Sequence, residues 1–112
     1  MIETRLGEFE EVLLLLVGIL NENAYAFKIA EEFQSQTGRE VSIGAVHSTL
    51  DRLETKGFLT SRMGNATAER GGRRKRIFTI TAIGKRTLKA SYEFKVSLWK
   101  QYPDFAAKFN LG

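Results

Sequence analysis

Five cations fall within seven residues, Arg70, Arg73, Arg74, Lys75 and Arg76, around the pair Gly71-Gly72. Arginine and lysine on a glycine-flanked segment suit a polyanion, following a phosphate backbone or entering a minor groove. A second grouping lies upstream, where Ser42, Ala45, Ser48, Thr49 and Arg52 recur at helical spacing. Short, hydroxylated and cationic side chains on one helix face allow close approach to a major groove about 12 Å wide, whereas a merely solvated face would carry more Lys and Glu. Catalytic groupings are scarce by comparison. The chain has no cysteine, which removes thiolate metal sites, disulfides and cysteine nucleophiles. His47 is the sole histidine and has no acidic companion at triad spacing, and Gly71-Gly72 lacks the strand, Lys-Ser/Thr and helix of a phosphate-binding loop. No enzyme, metal site or cofactor is expected.

Charge supports the polyanion reading. The net charge is +4, but residues 1–51 hold nine acids and three bases, while residues 52–112 hold four acids and fourteen bases. One half of a 112-residue chain, the size of a single domain, is therefore strongly basic. The longest apolar run, Val12 to Leu20, is too short for a membrane span and follows glutamates rather than a basic leader. A cytoplasmic protein with no membrane partner is the expectation.

The elements that must position these residues can be read from periodicity and stop signals. A first helix is expected from Glu8 to about Leu20, with Phe9, Val12, Leu13, Leu16, Ile19 and Leu20 as its apolar stripe. A second runs from about Tyr25 to Gln36, with Ala26, Ile29, Ala30 and Phe33 inward and Gly38 as its stop. Arg39-Glu40-Val41 is a short connection that could make one extended pairing. The third helix starts after the N-cap Ser42 and ends at Lys56 before Gly57, with Ile43, Val46, Leu50 and Leu53 inward and His47 at the border of that face. Leu59 to Met63 and Arg76 to Ile80 read as strands of a hairpin whose long tip carries the basic run. Thr81 caps a last helix from Ala82 to about Tyr102. That helix bears two apolar stripes, Leu88, Tyr92, Val96 and Trp99, and Ser91, Phe94, Leu98 and Tyr102. Two stripes on one helix of so small a chain call for a second surface, most simply another subunit.

Three helices, a hairpin and a further helix describe a mainly α fold with a small β-hairpin, a winged helix-turn-helix plus a C-terminal dimerisation helix. Residues 1–80 form the DNA-binding part and 81–112 the dimerisation helix and tail, within one compact domain overall. The segments Leu6 to Glu11, Asn23 to Ala26, Ser42 to Leu59, Glu69 to Arg76 and Ile80 to Leu88, in that order, resemble the PadR family of transcriptional regulators. The most specific pieces are Gly44-Ala45-Val46 with Leu50, Arg52-Leu53-Glu54 and Gly57, together with Gly71-Gly72-Arg73 with Lys75-Arg76.

The resemblance implies a homodimeric repressor of a palindromic operator in double-stranded DNA, each subunit supplying one recognition helix and one wing, the two helices about 34 Å apart. DNA contacts are then expected from Ser42, Ala45, His47, Ser48, Thr49 and Arg52 on the helix and from Arg70, Arg73, Arg74 and Lys75 on the wing. His47 stands where relatives usually carry tyrosine. The dimer interface is expected at Leu88, Tyr92, Val96 and Trp99. Family members respond to small molecules, which makes Trp99 the candidate for an aromatic effector pocket. The alternative is a winged-helix protein-interaction module without specific DNA binding.

Overall fold

The computed structural model describes residues 6–66 and 74–104. Its elements are α1 (Glu8–Leu20), a single 3-10 turn (Asn21–Asn23), α2 (Ala26–Thr37), α3 (Ile43–Thr55), β1 (Leu59–Ala66), β2 (Arg74–Ile80) and α4 (Ala82–Gln101). Local chemistry sets most of these boundaries. Ser42 accepts the Ala45 amide at its Oγ and Thr81 accepts the Gly84 amide, each filling an orphan donor of a first helical turn. Gly38 and Gly57 stop α2 and α3 in the left-handed region, at φ 76° and 86°.

α1, α2 and α3 pack around Leu13, Leu14, Val17, Ile29, Val46, Leu50 and Leu53, and the hairpin closes that core with Leu59 and Phe78. The apolar face of α1 is rotated from the expected stripe. Leu14 and Val17 are buried, whereas Ile19 is exposed, because α1 meets α2 and α3 on one side and β2 on another. Ile43, expected inward, is also exposed, since the first turn of α3 projects past the core.

β1 and β2 pair antiparallel from Leu59↔Ile80 to Met63↔Arg76, then again at Ala66↔Arg74 after a register shift. Both strands run further toward the tip than expected. Gly64 is buried there, and a Cβ on it would lie 2.5 Å from the Ile77 side chain. The extended pairing anticipated at residues 39–41 does not form. The far edge of β2 is met instead by the turn before α2, where the Phe78 amide donates to the Ala24 carbonyl at 2.8 Å.

The entry to α4 is locked onto the end of α3. The Thr81 hydroxyl donates to the Gly57 carbonyl at 2.6 Å, and the Thr81 amide donates to the Phe58 carbonyl at 3.0 Å. Gly84 then passes so close that a Cβ there would lie 2.3 Å from the Phe58 carbonyl oxygen. α4 continues along α1, where Lys95 donates to Glu11 at 2.6 Å, and Leu88 packs against the core. Three helices followed by a hairpin against the third make a winged helix-turn-helix, with α4 as an added C-terminal helix. No described helix is long and apolar enough to cross a membrane.

Candidate nucleic-acid interface

The outer face of α3 is built from small residues. Ser42, Gly44, His47 and Ser48 are exposed and Ala45 is half-buried. A Cβ on Gly44 would meet nothing within 4 Å, so nothing in the described chain covers this end of the helix. The Ser48 hydroxyl donates to the Ala45 carbonyl at 3.4 Å. His47, placed by its sequence at the core border, turns out to solvent instead. Thr49 is a correction. Only 3% exposed, it lies inside with Val46 and Leu53, three and four residues away on the same helical row, and cannot face a groove.

Arg52 lies on the outer ridge one turn beyond Ser48, but its guanidinium is engaged. Arg52 Nε donates to Glu10 Oε2 at 3.0 Å, and its Nη2 donates to Thr49 Oγ1 at 3.4 Å. Lys56, one turn further, donates to both Glu10 oxygens at 3.2 and 3.0 Å. The remaining contact to this carboxylate is the Gly7 amide at the start of α1, at 2.8 Å. The Glu10 side chain is only 9% exposed. Burial alone would raise its pKa, but the Gly7 amide, Lys56 and Arg52 together outweigh it and hold the carboxyl below its ordinary range.

The return strand of the hairpin is similarly tied down. Arg74 is exposed, yet it reaches back across the hairpin to the carbonyls of Gly64 at 3.0 Å and Met63 at 3.4 Å. Lys75 sits with its ammonium 4.1 Å from the Tyr25 ring centroid. It points from β2 toward the start of α2. Arg76 joins the strand to α3, bonding Asp51 at 3.1 Å, Glu54, and Ser61 at 3.1 Å, while covering the Phe78 ring. Arg70 and Arg73 lie outside the described residues.

Of the expected interface residues on α4, Leu88 and Val96 are half-buried and Tyr92 and Trp99 are exposed, Tyr92 by 65%. Phe94, Leu98 and Tyr102 of the second stripe are exposed as well. Trp99 leans on Tyr102 at 6.2 Å between ring centroids. A shallow groove on α4 is lined by Tyr92, Glu93, Val96, Ser97, Lys100 and Gln101, all from one helix, and Trp99 is not part of it.

Reading the sequence alone missed Glu10, Asp51, Glu54 and the structural part of Arg76. Glu10 carried one signal, its place three residues after the N-cap Gly7, where a glutamate reaches back to the cap amide.

The family model described as the PadR-like family of transcriptional regulators matches residues 14–90. The fold superposes on RosR of H. salinarum over 96% of this chain and 91% of that one, with a TM-score of 0.72 and 22% identity. A PadR family regulator from Eggerthella lenta matches 91% of this chain and 85% of its own, at a TM-score of 0.60 and 20% identity. Bacillus subtilis PadR, solved in complex with operator DNA, matches 76% of this chain and 46% of its own, at a TM-score of 0.61 and 20% identity. At these identities the likenesses establish the fold. Comparison with curated proteins gives no significant match.

Proposed function

Because this chain belongs to the PadR-like family of transcriptional regulators, we propose that it is a homodimeric repressor that binds a palindromic operator in double-stranded DNA. One observation carries the reading: the uncovered outer face of α3, where the small Ser42, Gly44 and Ser48 are exposed beside His47 before the helix turns cationic at Arg52. Small groups let the helix enter a major groove, and hydroxyl and imidazole groups can bond base edges or phosphates. Arg70 and Arg73, on the segment between the strands, and the exposed Arg74 supply the backbone contacts. The operator complex of the Bacillus subtilis relative supports the choice of DNA as partner.

Residues 1–80 read DNA and residues 81–112 join the two copies. Tyr92, Phe94, Leu98, Trp99 and Tyr102 are large apolar groups left in solvent on one helix, which supports a second copy as their cover. A small aromatic effector would bind beside Trp99 at that junction, next to the Tyr102 ring. The protein acts in the cytoplasm as a regulator and carries out no catalysis.

Selection of bound sequences from a random duplex pool, followed by electrophoretic shift in a salt series, tests the reading. A defined half-site repeated in inverted orientation is the expected result. The pair Arg70→Ala and Arg73→Ala should weaken binding to every duplex and flatten the salt dependence by about two units of slope. A parent protein that shifts no duplex would overturn the DNA assignment in favour of a protein-interaction module. A stable monomer in sedimentation at micromolar concentration would overturn the dimer.

A further inference from the structure

We propose that Glu10 acts as an internal stand-in for a DNA phosphate, holding Arg52 and Lys56 out of backbone contact so that binding relies on the groove-facing end of α3. The inference rests on the DNA-binding reading and assigns a positioning residue to it.

Arg52 and Lys56 are four residues apart and continue the row that begins with Ala45 and Ser48. They therefore occupy the ridge next to the proposed reading face, where a phosphate strand would run. Their own side chains remain at the surface, 52% and 31% exposed, while the carboxylate that holds them lies beneath at 9%. The arrangement is lopsided. The cations have open solvent on one side, and the anion has no route out with them, because the Gly7 amide fixes it to the first turn of α1. One buried carboxylate satisfying two cations is the pattern that a phosphate oxygen pair would otherwise provide.

Contacts to phosphate add affinity for any sequence and carry no base information. Specificity is the difference between affinity for the operator and affinity for all other duplexes, so two cations withheld from the backbone lower affinity for every duplex alike and leave the choice of sequence to the groove-facing end of α3. Glu10 also fixes the angle of α3 against α1, since both of its cations come from α3 and its own backbone belongs to α1.

The test is the salt dependence of binding to a random-sequence duplex. Glu10→Gln keeps an acceptor for Gly7 and removes the charge. It should steepen the slope of log affinity against log salt by between about one and two units, one for each cation that turns to phosphate. Glu8→Gln changes net charge equally on the same turn and should match the parent. The triple variant Glu10→Gln, Arg52→Gln, Lys56→Gln should also match the parent, because it removes only cations that were already withheld. Circular dichroism checks that each variant folds, and the triple variant, whose cluster is neutral, remains informative should Glu10→Gln alone be unstable. The proposal is overturned by a Glu10→Gln slope equal to the parent's, by the same steepening in Glu8→Gln, or by a triple variant flatter than the parent. A parent without duplex binding would overturn the DNA reading itself, and the role of Glu10 in it. A parent that binds beside a Glu10→Gln variant of unchanged slope would sink the clamp alone.

Discussion

The Lys75 ammonium lies 4.1 Å from the centroid of the Tyr25 ring, joining the return strand of the hairpin to the start of α2. Tyr25 is buried and Lys75 half-buried, so the pair is partly shielded from water. A cation over an aromatic face in such a setting contributes about 0.5–2 kcal/mol. Lys75→Met keeps the aliphatic stem and removes the charge. We expect a loss of about 1 kcal/mol in urea unfolding and no change in the salt slope of DNA binding. A flatter slope with unchanged stability would return Lys75 to the DNA contacts.

Of the described glycines, Gly84 has the least room for a side chain. An added Cβ would overlap the Phe58 carbonyl at 2.3 Å and the Ile80 side chain at 2.9 Å, and the carbonyl is backbone that already accepts the Thr81 amide. The carbonyl cannot rotate away. Gly84→Ala should therefore cost about 1–3 kcal/mol by overpacking, against the small gain that alanine normally gives inside a helix. Thermal unfolding measures it. A variant as stable as the parent would mean that α4 can slide on its seat. Gly44→Ala, with open space at its Cβ, provides the comparison and should be slightly stabilising.

Glu10 makes stability depend on acid. Its folded carboxyl titrates below the ordinary value of 4.5, because the Gly7 amide, Lys56 and Arg52 favour the charged form more than burial opposes it. The contribution is fully present above the pKa of the unfolded chain and is lost as pH falls through the folded value. Denaturant midpoints measured from pH 6 downward should fall for the parent beginning near the ordinary glutamate range. Glu10→Gln should start less stable and show a shallower decline over the same window. Parallel declines would mean that other carboxylates carry the acid sensitivity.

Signals confined to a few neighbouring residues were readable before the structure. Thr81 and Ser42 cap the helices expected of them, and Gly38 and Gly57 stop theirs, because caps and stops depend on groups within four residues. Thr49 was readable and misassigned. Its place three after Val46 and four before Leu53 puts it on the inner row, and its hydroxyl drew it outward. Ile43 and Ile19 failed for another reason. Both sit at helix ends, where a correct period still says nothing about whether a neighbour reaches that far. The partners of the cations were beyond local reading. Glu10 is 42 residues from Arg52, and Tyr25 is 50 from Lys75, so only the packed fold decides which acid or ring meets which base. Within the described part of the basic cluster, Arg74, Lys75 and Arg76 each meet a different partner, a carbonyl, a ring and a carboxylate.

The register shift between Met63 and Ala66 bears on how the protein keeps apart from its own copies. The far edge of β2 is covered at Ala24, but β1 ends the sheet among the described residues. A bare, flat strand edge is a template for adding foreign strands and for fibril growth. Here the regular ladder lasts only from Leu59 to Met63, with Arg62 along it, before the irregularity bends the strand. The Arg74 fork then occupies the carbonyls of Met63 and Gly64. The described outer margin of the hairpin, a short regular ladder carrying Arg62, is a poor template for adding strands.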